Sequence, residues 1–236
     1  MNSVGVRRTL AKCLVVLVAG FVLNLISPVV IAQQRTIHPG ETSVVTFDGP
    51  AELTKRFSTS EGPESGQVVI NAMTVLGGNE LADSYTVHAS TALPVDGRAG
   101  LTYVFPYRPE RISYPYSDPF APGTFDTPAR LDYLGPGSVG GLDTYKYRAN
   151  ITAPGYEAQR IIDLQVRTGE VLDETWTVRE GPVAGLYRMS EQSRDVAWQR
   201  AAAEVHVLRG LQVLAWVTRF IAVVALAWAA VAVARR

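Results

Sequence analysis

The chain has 236 residues, with 22 Lys/Arg balancing 22 Asp/Glu. The balance hides a segregation: every acidic residue lies between Glu41 and Glu204, and residues 33–204 carry 15 Lys/Arg against 22 Asp/Glu. An acidic central segment excludes the basic footprint of a nucleic-acid binder, and a lone cysteine, Cys13, excludes both a disulfide framework and a thiolate metal site.

Residues 1–12 carry charge only as Arg7, Arg8 and Lys12. The run 13–32 that follows is apolar and long enough to span a bilayer. Basic flanks collect on the cytoplasmic side, so this pattern predicts a transmembrane helix with its start inside. A cleaved signal peptide ending near Val30-Ile31-Ala32 is the alternative. Either way the next segment lies outside the plasma membrane.

Residues 33–189 read as one β-rich domain. Strands are expected at 42–48, 66–76, 84–93, 100–107, 129–134, 141–153, 159–168 and 170–180, where apolar, β-branched and aromatic residues alternate with polar ones. Tyr145 and Tyr147 share one face of their strand; Leu172, Glu174, Trp176 and Val178 share one face of theirs. Tyr145, Tyr147 and Trp176 are therefore expected to face the core. Short glycine turns and the lack of amphipathic helices between strands predict an antiparallel sheet. The turns at 95–101 and 166–171 resemble each other, which fits either a duplicated hairpin or the general recurrence of glycine turns. In residues 106–128 prolines interleave with Tyr107, Tyr114, Tyr116, Phe120 and Phe125. Proline cannot donate to a sheet ladder, so an ordered loop is expected. Its aromatics either plug the core or form a binding surface, with Tyr114 and Tyr116 the structural members and Phe120 the candidate for contact.

From Ser190 the pattern becomes helical: Ser190 is an N-cap, acidic residues come early and alanines follow. A juxtamembrane helix over 190–210 should run directly into a transmembrane helix over 211–234, coupling the domain to the bilayer. Arg235 and Arg236 then place the C-terminus in the cytoplasm. Arg219 reads as an outer-flank or snorkelling residue. Ala222, Ala225, Ala229 and Ala232 form a small-residue stripe that either permits close helix approach, to Gly20 and Asn24 of the first helix or in a homo-oligomer, or reflects only how common alanine is in membrane helices.

Motifs for chemistry are weak. Gly135-Pro136-Gly137-Ser138-Val139-Gly140 matches G-x-G-x-x-G, but a strand follows where a dinucleotide site needs a helix, so a hairpin loop is expected. Pro136 also breaks a G-x-S-x-G elbow around Ser138. His38, His88 and His206 have no metal-ligand spacing, and His88 reads as a sheet-surface residue. Asp173 and Glu174 point to opposite faces of a strand and cannot form a dyad. Asn150-Ile151-Thr152 is a formal sequon. No catalytic, cofactor-binding or metal-binding residue is assigned.

Three motifs carry a resemblance: Tyr114-Pro115-Tyr116-Ser117-Asp118; Pro128-Ala129 with Tyr133 and Gly135; and Val139-Gly140-Gly141-Leu142-Asp143-Thr144-Tyr145-Lys146-Tyr147. They resemble the actinobacterial porin PorA family, a domain of unknown function. The later VRTGEVLD resembles that family's D-P-x-T-G-x-V turn, with Val166-Arg167 in place of Asp-Pro. The resemblance implies an N-terminal span, an exterior β-rich domain and a C-terminal span. A literal pore is not expected, because the two spans offer only Asn24 and Arg219 as polar lining.

The expectation is a non-enzymatic cell-envelope protein, two-span and with both termini cytoplasmic. Its extracytoplasmic domain would bind an envelope protein or a lipid-like ligand, without cofactor. An envelope hydrolase or transferase with a loop-assembled site, or a channel or transporter accessory subunit, are the alternatives.

Overall fold

A computed structural model describes residues 3–95 and 97–234. The chain forms two compact units, residues 36–204 and a second unit made of residues up to 35 together with those from 205 onward.

The larger unit is built on one ten-stranded antiparallel sheet. Its strands are β1 (Thr42–Asp48), β2 (Leu53–Glu61), β3 (Gln67–Leu76), β4 (Asn79–His88), β5 (Tyr114–Tyr116), β6 (Ala129–Val139), β7 (Leu142–Ala153), β8 (Tyr156–Gln165), β9 (Val171–Glu180) and β10 (Gly185–Met189). Their order across the sheet is β4-β3-β2-β1-β10-β9-β8-β7-β6-β5. Two meanders are thus stitched together where β1 meets β10, through the pairs Phe47–Met189 and Asp48–Arg188. Tight glycine pairs close the β3–β4 and β6–β7 hairpins, with Gly77-Gly78 and Gly140-Gly141 all at positive φ, the backbone that primed turns demand.

Strands β4 and β5 lie at opposite edges, so residues 89–113 must cross a face of the sheet to connect them. That segment is the plug of the core. Leu101, Tyr103 and Phe105 are buried there, and the backbone of Leu101 forms one parallel bridge to Tyr116. The strand expected over 100–107 is therefore an irregular crossing segment. It alternates like a strand because its apolar side chains enter the core, but its pairing with β5 stops at that one bridge. Arg98 pins its start: the guanidinium sits 4.0 Å from the Tyr85 ring and 4.2 Å from the Phe125 ring, and pairs with Asp83 at 2.6 Å.

Three strands escape the sequence pattern: β2, β10 and β5, the last within the stretch expected to be a loop. In β2 the inward positions are Leu53, Lys55, Phe57 and Thr59, so a charge interrupts the apolar face. β10 is only five residues long. The G-x-G-x-x-G stretch is not a loop: residues 135–139 continue β6 after a register shift between Tyr133 and Gly135, and the turn falls at Gly140-Gly141. The suggested duplicate of the β8–β9 hairpin fails too, because residues 97–101 belong to the crossing segment; Asp96 lies outside the described residues.

The expected faces hold. Tyr147 and Trp176 are fully buried, and Tyr145 is half-buried against the same core. The aromatic loop is mostly core. Tyr116 is fully buried, and Tyr114 packs 5.9 Å from Tyr147. Phe120, expected to be the contact residue, turns inward to lie 5.7 Å from Trp176 and 6.5 Å from Tyr156.

The second unit comprises α1 (Ser3–Gln34) and the greater part of α2 (Glu191–Ala234). Both helices are long and apolar enough to cross a membrane. Trp216, Phe220, Val223 and Trp228 are exposed along α2, whereas Thr218 and Ala225 are buried and Ala222 and Ala229 half-buried. The start of the alanine stripe lies beside α1 of the same chain: Ala222 shares a groove with Gly20 and Asn24, and a Cβ at Gly20 would rest 3.7 Å from the Thr218 carbonyl oxygen. The Ala232 side chain and residues Arg235 and Arg236 lie outside the described part.

Candidate functional site

The β domain holds a cavity of about 350 Å³, inside the usual range for small-molecule sites. Its position follows from the sheet's topology. β1 pairs with β10 only over two residues, after which the chain turns into α2. The first turn of α2 takes over the edge: Ser190 N–H donates to the Thr46 carbonyl at 2.9 Å, and Thr46 N–H donates to Ser193 Oγ at 3.0 Å. Residues 42–45 therefore have no strand on that side, and the cavity opens between them and α2.

Its walls are largely apolar, with Val45, Phe57, Tyr103, Phe105, Val171 and Met189. The turn between β8 and β9 closes one side. There Gln165 Oε1 accepts the backbone N–H groups of Arg167 and Thr168 at 2.7 and 2.9 Å. Gly169, at φ +74°, lies so close to the crossing segment that a Cβ would collide with the Pro106 carbonyl.

Charge is placed at two levels. At the rim, Glu41 and Arg200 are exposed and Glu170 and Glu204 half-buried. Arg200 Nη1 donates to Glu170 Oε1 at 3.2 Å. Burial pushes the Glu170 carboxyl up to about 7; Arg200 opposes this, and Glu204 and Glu41 add to it.

Deep in the wall, Lys55 from β2 donates to Glu174 from β9, and both line the cavity. Behind them Arg160 from β8 bridges two carboxylates, donating from Nη1 to Glu174 at 2.6 Å and from Nε to Asp118 at 2.9 Å. The Arg160 guanidinium lies 3.2 Å from the centroid of the Trp176 ring, and Trp176 Nε1 donates to the Tyr156 hydroxyl at 3.0 Å. Two cations thus face two anions, the charge balance that a buried ionic cluster requires. Burial works to raise the Glu174 carboxyl, but Lys55 and Arg160 outweigh it and hold the group below its ordinary value.

None of these four ionic residues was assigned a functional role from the sequence. The signal was present: Arg160 lies between Ala158 and Ile162, and Glu174 between Leu172 and Trp176, on strand faces otherwise apolar. A charge on the inward face of a strand announces an ionic partner. The histidines form no such group; His38, His88 and His206 are all exposed, His88 on the sheet surface as expected. Among the described residues no three His, Cys, Asp or Glu side chains are grouped closely enough to hold a metal ion. Asp173 and Glu174 lie on opposite faces, Glu174 in the core.

The chain matches no protein-family model and has no significant similarity to a curated protein. The residues of the motif at 114–118 have structural roles. Tyr114-Pro115-Tyr116 is β5, and Asp118 is the partner of Arg160.

Proposed function

We propose that this chain is a two-span plasma-membrane protein of the cell envelope, with both termini cytoplasmic. Its extracytoplasmic β domain holds a lipid-like ligand in the cavity between β1, the crossing segment and the first turns of α2. It acts as a binding protein rather than an enzyme. The PorA-family resemblance of its motif residues agrees with this layout.

The observation that carries the reading is the cavity: apolar walls, a charged rim and a few polar groups deep inside are the composition of an amphiphile site. The two helices, apolar enough to cross a membrane, favour a ligand drawn from the bilayer. Native mass spectrometry of the full chain released from micelles tests the reading. A bound amphiphile should accompany the wild type and be lost in Ala197→Phe, which fills the cavity from α2. Identical spectra for the two proteins would contradict it.

A further inference from the structure

Lys55 is unusual among the residues lining the cavity. It lies on the inward face of β2, and its ammonium sits 5.0 Å from the centroid of the Phe47 ring. An ammonium has three N–H donors. One goes to Glu174, and among the described residues the ammonium makes no second hydrogen bond. Only 11% of the side chain is accessible. Donors left unmet beside apolar walls are unfavourable unless an oxygen reaches them.

Charge decides which oxygen. Lys55 and Arg160 already balance Asp118 and Glu174. A ligand carboxylate would add a negative charge beside Glu174 with no cation left to offset it. It would also have to pass a rim where, among the described residues, Glu41, Glu170 and Glu204 lie with Arg200. A hydroxyl or ester oxygen accepts the same N–H without adding charge, and a plain hydrocarbon accepts nothing.

We propose that Lys55 is the specificity-determining donor of this cavity, and that the ligand is an uncharged amphiphile whose alcohol or ester oxygen is received there. The proposal rests on the lipid-binding reading above.

The test uses the full chain in detergent micelles and long-chain diazirine probes ending in an alcohol, a carboxylate or a methyl group. Photolabelling of the peptide bearing Tyr103, Phe105 and Tyr107 is read by mass spectrometry. The alcohol should label about tenfold more strongly than the ionised carboxylate, a difference one buried hydrogen bond or charge penalty can supply. Lys55→Met should bring the alcohol down to the methyl probe's level and leave the methyl probe unchanged. Equal labelling by alcohol and methyl probes in the wild type, a preference for the carboxylate, or undiminished alcohol labelling in Lys55→Met would each overturn the proposal. If no probe labels the wild-type cavity, the lipid-binding reading falls and the proposal with it. Should Lys55→Met lose labelling by every probe, Glu174→Gln decides. With its counter-ion gone, Lys55 should accept the carboxylate severalfold better than in the wild type, and an unchanged ranking overturns the assignment.

Discussion

The buried ionic cluster gives the sharpest stability prediction. Arg160 and Asp118 have side-chain exposures of 1% and 0%, and their contact joins the 117–125 loop to β8. In Arg160→Met, Glu174 keeps Lys55 as a partner, but Asp118 loses its only ion-pair partner among the described residues and retains the Phe120 N–H at 2.9 Å. Removing one member of a buried pair costs about 3–5 kcal/mol, because the other charge is stranded without water. For a unit of this size that lowers the melting temperature by roughly 6–20 °C. Asp118→Leu strands Arg160 Nε instead and should cost about as much. The double variant strands neither: Lys55 and Glu174 remain balanced, and two apolar side chains fill the space. It should be no less stable than Arg160→Met alone, a favourable coupling of about 3 kcal/mol. Thermal unfolding of the full chain in micelles, followed by near-ultraviolet circular dichroism of the core aromatics, measures all four corners of the cycle. Single effects that simply add in the double variant, to within about 0.5 kcal/mol, would refute the claim that the two charges depend on each other.

Trp176→Ala should cost about 3–5 kcal/mol in the same assay, since the ring is fully buried among Phe47, Phe120 and Arg160. Glu170 has a native pKa raised from 4.5 to about 7, so the native state holds this proton longer than the unfolded chain does. Its contribution is full below about 4.5 and is lost as pH rises through 7; Glu170→Gln should flatten that part of the profile of melting temperature against pH. Cysteines at Ser65 and Ser138, both exposed, should react with a membrane-impermeant thiol reagent on intact cells, and a cysteine added after Arg236 should not. Labelling of that added cysteine would reverse the orientation.

The sheet was legible where strand faces are cleanly divided. Strand β9 alternates so regularly that the inward position of Trp176 can be read directly from residues 171–178. β2 was hidden because its inward face carries Lys55, whose partner Glu174 lies 119 positions away in the chain. Local periodicity cannot register a compensation at that distance. The crossing segment misled for the converse reason: Leu101, Tyr103 and Phe105 alternate like a strand, yet they bury themselves against a face of the sheet rather than joining its edge. Phe120 was misplaced because a proline-flanked aromatic reads as exposed when the neighbouring Trp176 and Tyr156 are not yet in view. The cavity was not legible at all. It exists because β1 and β10 share only two residue pairs before α2 begins, a feature of register that no motif encodes.

The central claim is that the cavity is occupied by an amphiphile in the living cell. Benzoylphenylalanine in place of Tyr107, which lines the cavity, tests this directly when compared with the same group at Ile112, exposed on the same segment. After irradiation of intact cells and purification of the full chain, the Tyr107 position should carry an adduct of lipid mass and the Ile112 position none. A Tyr107 position without a lipid adduct, or the same adduct at both positions, would contradict the account.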